Sequence, residues 1–452
     1  MKDQRWLAGL TLTVSLAVVS TDAIAQTVSA APETGPVLPV SLVPTTDLKE
    51  AVQSALNTHP AVRISSAEIE QRLAEERIVK SEGRPVIEYS LQPGYNPQSD
   101  RDAILQLNIS ARVPVYDFGR LRARRNAAAS RTVQYRQLFA NREELVALDV
   151  VNAYLQFALW RDALVEADRH LEQLAQIRRR IDMRVAAGLA DLSDLRRTDV
   201  SISRARLQRN QVESEMAQAV SRIHMISSTS GEPEITFDEA AAMLRANNVE
   251  PIATAEGSPT VAAARADWDA RREEVAAARA SRYPSISVGV TNSSYLMDER
   301  GDARGGSSFD NRTQFGVFLT GRVQLGGGAR YQVEAAEAAS AAAQSGYHAE
   351  VLKLDMAIVN LNLQRSEAAT RLEGAGQVTG VLEEARDLYW QEYILSKRRL
   401  TEVFDIEREI YQSRVDQLQA RADLLGAVAE TLGVQGQLVE TLEIPSRAGL
   451  GR

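Results

Sequence analysis

The sequence predicts long antiparallel coiled-coil helices combined with four β-strands, the whole plan being present twice. Three observations carry that prediction: two segments alternate apolar and polar residues, two very long intervals lack proline, and motifs recur at a constant spacing. In the first hairpin, 85–115, Ile87, Tyr89, Leu91 and Tyr95 alternate with Glu88, Ser90 and Gln92. Leu105, Leu107, Ile109, Ala111, Val113 and Val115 then alternate with Gln106, Asn108, Ser110 and Arg112. The second hairpin, 284–325, sets Ile286, Val288 and Val290 against Ser285, Ser287 and Thr291, then Phe315, Val317, Leu319, Val323 and Leu325 against Gln314, Thr320, Arg322 and Gln324. Side chains change face at every strand residue, so each strand has one oily and one wet face. Four such strands are too few to close a barrel, and a sheet in lipid cannot leave an edge unpaired. The pattern therefore calls for copies of the chain in a closed ring.

The first residues are of a different kind. Met1 to Arg5 carry basic side chains, Trp6 to Ser20 are mostly apolar, and Ala23-Ile24-Ala25 is a small-x-small cleavage site, so 1–25 reads as a secretory signal peptide. The apolar run is shorter than the ~20 residues that a spanning helix needs. Residues 26–46 are proline-rich and expected to be extended. The chain has no cysteine, which excludes disulfides, thiolate metal sites and lipid attachment through cysteine. A formal charge of −8 argues against a nucleic-acid partner. No later segment is apolar and long enough for a transmembrane helix, so any membrane crossing must be made by strands.

A long helix follows each hairpin. Proline is absent between 114 and 233 and again between 284 and 445. From Asp117 to about Val185, Leu145, Leu148, Val151, Leu155 and Leu159, then Leu171, Leu174, Ile177, Ile181 and Val185, recur at spacings of three and four, as in a coiled-coil seam. Gly188 punctuates the run, and a return helix is expected from about Leu192 to Ile226. The second half repeats this with a helix from about Ala329 to Ile394, a break at 395–397, and a return helix bearing Val403, Ile406, Ile410, Leu418, Ala422, Leu425 and Leu432. Gly374, Gly376 and Gly380 each cost about 1 kcal/mol relative to alanine, which predicts a bend or local irregularity. Gly326-Gly327-Gly328 reads as a flexible strand-to-helix junction. His59-Pro60 and Ser258-Pro259 stand 199 residues apart, as do Arg84-Pro85 and Tyr283-Pro284. The organisation is then a first repeat over 47–226, a connecting segment of mixed character over 227–257, a second repeat over 258–433, and a C-terminal tail over 434–452.

This arrangement, with the text Val113-Pro114-Val115-Tyr116-Asp117-Phe118-Gly119-Arg120, resembles the TolC family of outer-membrane efflux and type I secretion proteins. The resemblance spans about Asp47 to Gly433. It implies a homotrimer whose chains give four strands each to a twelve-stranded barrel in outer-membrane lipid, with a helical tunnel across the periplasm. It also implies two partners, a periplasmic adaptor and an inner-membrane ABC or proton-driven transporter. Gly188-Leu189 and Leu395-Ser396 look like the family's two periplasmic turns, where an adaptor would touch; Ser396 stands where the family often has glycine. By the same similarity, Tyr393 and Arg398 of one helical hairpin would hydrogen-bond to Ser193 and Asp194 of a neighbouring one, and Glu402 and Asp405 would form an acidic constriction ring. Arg398 with Asp194 would be a charge-assisted pair, and Glu402 and Asp405 share a helix face. Charges of this kind on coiled-coil surfaces are more often simply solvated.

Catalysis finds no support. The four histidines, at 59, 170, 224 and 348, show no metal-ligand spacing, and HExxH, P-loop and GxSxG motifs are absent, so no cofactor is expected. The carboxylate pairs Glu143-Glu144 and Glu383-Glu384 and the arginines at 120–125 and 178–180 read as helix-surface residues. A periplasmic coiled-coil adaptor without a barrel is the rival reading. It would account for the helices, but not for oily strand faces or for the duplication.

Overall fold

The computed structural model describes residues 45–96, 101–246, 257–298, 312–321 and 326–445. The expected signal peptide, the extended segment up to residue 44, strand positions 322–325 and residues 446–452 lie outside them. In chain order the elements are β1 (Thr45–Thr46), α1 (Leu48–Thr58), α2 (Pro60–Ser81), β2 (Val86–Asn96), β3 (Arg101–Tyr116), α3 (Arg120–Ala186) and α4 (Leu192–Ser227). After them come β4 (Glu232–Pro233), α5 (Phe237–Met243), α6 (Pro259–Ala280), β5 (Ser285–Asp298), β6 (Arg312–Thr320), α7 (Gly328–Ile394), α8 (Leu400–Gln435) and α9 (Leu438–Thr441).

The internal repeat holds residue for residue in its helices. Helices α2 and α6 have 22 residues each, α3 and α7 have 67, and α4 and α8 have 36. α6 starts 199 residues after α2 (60 to 259), whereas α7 and α8 start 208 after α3 and α4 (120 to 328, 192 to 400), so the second hairpin is nine residues longer. At ~1.5 Å per residue, α3 and α7 are each about 100 Å long. Both begin at a glycine in the left-handed region, Gly119 at φ 84° and Gly327 at φ 77°, where a Cβ would be penalised. Asp117 Oδ2 accepts from the Leu121 amide at 2.7 Å, so the Asp117–Arg120 text encodes a capped strand-to-helix corner.

The four strands form one antiparallel sheet in the order β2–β3–β5–β6. Its register aligns Ile87, Ala111, Val290 and Phe315 across the sheet, and likewise Val113, Val288 and Val317, while Glu88, Ser110, Thr291 and Gln314 make an adjacent polar row. One face is thus oily and the other wet. Ile87, Tyr89, Leu91, Phe315, Val317 and Leu319 are all exposed in the single chain. β5 continues to Asp298, and residues 299–311 lie outside the described region. No helix among the described residues is long and apolar enough to cross a membrane.

The lower helices pack side by side as α4–α3–α8–α7, the upper ones as α2–α3–α6–α7. The main core gathers Val150, Tyr154, Leu159, Ile223, Leu425 and Leu432 with residues of α1, α5 and α9. Tyr154 donates its hydroxyl to the Thr46 carbonyl at 3.0 Å and so ties β1 to α3.

Several expectations need correction. Leu145 is 43% exposed, because a true helix turns every 3.6 residues and drifts from a strict seam. α7 runs unbroken through Gly374, Gly376 and Gly380. There Thr379 and Ser413 both donate to the Ala375 carbonyl, at 2.8 and 3.2 Å, and a Cβ on Gly376 would come within 3.2 Å of Gln417, so close helix approach replaces the expected irregularity. Glu143 and Glu144 are buried. The region read as a tail holds the end of α8 and α9, with Leu438, Val439, Leu442 and Ile444 in the core. The connecting segment holds α5, started by a reciprocal Thr236–Glu239 cap, and its Glu232–Pro233 pairs in parallel with Thr45–Thr46.

Candidate functional site at the helix tips

The two helical hairpins end in turns of the same construction. Gly188 has φ 71° and Ser396, 208 residues later, φ 60°. The Leu189 amide bonds to the Arg184 carbonyl at 2.8 Å and the Lys397 amide to that of Glu392 at 2.9 Å, as in a six-to-one helix terminus. Serine thus takes the backbone that glycine takes in the other half, at a cost of about 1 kcal/mol. Leu189 and Leu395, next to these turns, are exposed, as are Leu192 and Ile394.

Behind the turns lies a second apolar cluster of Leu174, Ile177 and Ile181 from α3, Ala205 from α4, Tyr393 from α7, and Leu400, Val403 and Phe404 from α8. It ties the two hairpins together. Tyr393 donates its hydroxyl to Asp194 Oδ2 at 3.1 Å, across from α7 to α4. Burial, and then the charge of Asp194, push this phenol up to about 12, so it remains a proton donor at any physiological pH.

Arg398 does not join that pair within the chain. Its Nε donates to Glu392 and its Nη1 to Glu402, both at 2.6 Å, and its guanidinium lies 3.6 Å from the centre of the Tyr389 ring. Glu402 is therefore paired rather than free, and Asp405 pairs with Arg408 at 2.7 Å. Ser193 is exposed beside Asp194. The sequence reading missed a stack of arginines on aromatic rings: Arg180 sits 5.2 Å from the centre of Trp390 and Arg184 5.6 Å from that of Tyr393. Arg180 belongs to a cluster read as solvated. The usable signal was Tyr389 and Tyr393, four apart on one helix face, with Trp390 between them. Among the described residues no group of three His, Cys, Asp or Glu side chains could hold a metal ion.

Known proteins share this architecture. A family model described as outer membrane efflux protein matches residues 51–227 and 253–441. Among solved structures, CusC, whose crystal structures concern transmembrane channel formation, has a TM-score of 0.74 at 15% identity over 87% of this chain and 91% of its own. The CmeC outer membrane channel of Campylobacter jejuni gives 0.71 at 13% over 86% of each chain. The MtrE outer membrane channel of Neisseria gonorrhoeae, solved in an open state, gives 0.68 at 16% over 87% of this chain and 89% of its own. No curated protein matches. At these identities the structural likeness carries the fold alone. The family model covers both repeats, each with its helix, hairpin and helix pair, and leaves no room for the barrel-less rival: the chain belongs to the outer membrane efflux protein family, whose members are channels of the Gram-negative outer membrane.

Proposed function

We propose that three copies of the chain close into a twelve-stranded barrel above a helical tunnel, and that this duct is the passive exit of a tripartite efflux pump or type I secretion system. One observation carries the reading. Among the described residues the sheet ends in two edges, β2 and β6, and the helix array in two flanks, α4 and α7, with a first-half element at one end and a second-half element at the other in both cases. In lipid each unpaired backbone group costs several kcal/mol, so the edges must meet edges of identical copies. Three copies are the number that the TolC resemblance implies.

The tips are the gate of this duct. Tyr393 and Asp194 hold the hairpins of one chain together, while Arg398 reaches Ser193 and Asp194 of a neighbouring copy in exchange for one of its carboxylates. Glu402 and Asp405 give the constriction its acidic character, moderated by Arg398 and Arg408. The exposed turns at Gly188-Leu189 and Leu395-Ser396 receive a periplasmic adaptor, which with an inner-membrane transporter supplies the work of opening. Single-channel recording in a planar bilayer tests this. Tyr393→Phe and Arg398→Ala are each expected to raise the closed-state conductance several-fold, and Glu402→Gln with Asp405→Asn to lower cation selectivity. Unchanged conductance in both single variants removes the pairs from the gate, and unchanged selectivity misplaces the ring.

A further inference from the structure

Positive charge gathers where the sheet meets the helices. β2 and β5 begin, and β3 and β6 end, at the same end of the sheet, so the four strand-to-helix junctions stand at one level. Polar contacts tie neighbouring junctions together: Arg124 pairs with Glu82 at 2.6 Å, and Arg125 donates to the Lys80 carbonyl at 2.9 Å. Segments 80–84, 116–125, 279–284 and 326–334 carry nine basic and three acidic side chains, a net +6 in a chain whose formal charge is −8. The band is thus basic in an otherwise strongly acidic protein.

Four of its arginines have no protein partner. Arg84, Arg122, Arg282 and Arg330 each lie within three residues of a helix end, all four are exposed, and among the described residues none of their guanidinium groups makes a hydrogen bond or an ion pair. Arg122 and Arg330 are repeat counterparts, 208 apart. Like charges gathered at one level repel one another unless anions lie against them. The band also reaches the oily face of the sheet. Register pairs Tyr116 with Ile286 and Ile286 with Leu319, which puts Tyr116 on that face. Phe118 meets Tyr116 edge-on and stacks on Tyr283, in each case with ring centres 4.8 Å apart, and all three rings are exposed. Tyr283 directly follows Arg282, and Tyr331, also exposed, directly follows Arg330. Phe118 holds φ 55°, a conformation that so large a side chain rarely adopts, whereas its counterpart 208 positions later is Gly326. The chain thus keeps a ring at this level in spite of backbone strain.

We infer that Arg84, Arg122, Arg282 and Arg330 bind the phosphates of anionic phospholipid in the periplasmic leaflet of the membrane. A guanidinium fork matches two phosphate oxygens, exposed rings settle at the headgroup level, and the oily face beyond them takes the acyl chains. Charge and apolar surface are continuous here, which suits a lipid. A free phosphate would meet the arginines but gain nothing from the rings or the oily face. This rests on the proposed lipid-facing barrel and adds the class of lipid that borders it.

The test titrates the full-length protein in non-ionic detergent with dioleoyl phosphatidylglycerol or with zwitterionic dioleoyl phosphatidylethanolamine, and counts bound lipid by native mass spectrometry. The native assembly is expected to bind the anionic lipid at least about tenfold more tightly, and Arg84→Gln, Arg122→Gln, Arg282→Gln and Arg330→Gln combined to lose that preference, at about fivefold for each arginine. Arg196→Gln, Arg197→Gln, Arg204→Gln and Arg206→Gln combined remove the same charge from exposed positions towards the tip of α4 and are expected to keep it. No preference in the native protein, a preference retained by the first combination, or equal loss in both combinations overturns the proposal. Inorganic phosphate in large excess is expected to leave the lipid bound; its displacement would assign the arginines to a free anion instead. Should the first combination fail to assemble, the pairs Arg84→Gln with Arg282→Gln and Arg122→Gln with Arg330→Gln are read in its place: partial loss in each supports the site, and loss in neither overturns it. A native protein that is monomeric or stays dissolved without detergent overturns the barrel as well, whereas a detergent-stable trimer without lipid preference overturns the lipid site alone.

Discussion

Arginine in place of Val317 is expected to keep the protein out of the outer membrane. Val317 lies within β6, opposite Val288, in the row that begins with Val113 on β3, and it is exposed on the oily face of the sheet. A lipid-facing arginine near the bilayer midplane costs roughly 2–4 kcal/mol, and a ring of three copies bears that cost three times. The total approaches the whole stability of an ordinary domain. Fractionation of cell envelopes reads the outcome: the variant should leave the outer-membrane fraction, while Gln314→Arg, on the polar row with Thr291, should remain in it. Equal insertion of both would mean that the faces of the sheet are assigned the wrong way round.

The second large effect is a pH dependence at Glu144. Its Oε2 accepts from the amides of Leu438 at 2.9 Å and Val439 at 3.4 Å, so this carboxyl docks α9 and the C-terminal apolar residues onto α3. Burial raises its pKa to about 7, the two amides oppose the rise, and Glu143 and Glu440 add to it. Glu443, engaged with Lys49 and Arg245, lines the same cleft. A carboxyl whose folded pKa lies above its unfolded value binds its proton more tightly in the folded state. Its contribution is fully present below about pH 4.5 and is lost as the pH rises through about 7. The loss is on the order of 3 kcal/mol, at about 1.4 kcal/mol for each tenfold difference in proton affinity between the folded and unfolded chain. Glutamine keeps the accepting carbonyl and has no charge to bury. Glu144→Gln is therefore expected to match the wild type in thermal midpoint near pH 5 and to exceed it by several degrees near pH 8. A variant less stable than wild type at pH 8 would show that the ionised carboxylate is the form that holds α9.

Much of this architecture was legible in the residues. Period-two alternation gave the strands and their faces, because a strand side chain has only two directions to point. Proline-free seams gave helices that the structure bounds within a few residues, and the 199-residue spacing gave the repeat. The tip residues Tyr393 and Asp194 were legible only through family resemblance, since a tyrosine and an aspartate 199 apart carry no local pattern. Their meeting depends on how two helical hairpins pack over Leu174, Ile181 and Phe404. Arg398 shows the limit well: sequence supplied a cation near several carboxylates, and the turn geometry chose Glu392 and Glu402.

Glu143 and Glu144 mark the same boundary from the other side. Nothing local separates them from Glu383-Glu384, yet the first pair is buried under α9, whereas Glu383 is only partly covered and paired to Arg414, and Glu384 is exposed. Sequence by itself determined which segments are helix and strand, that the plan occurs twice, and that one sheet face suits lipid, because these follow from periodicity and backbone sterics along the chain. Tertiary structure alone decided which flanks stay open, which charges pair, and which carboxyl is buried, because each depends on neighbours brought together from distant parts of the chain.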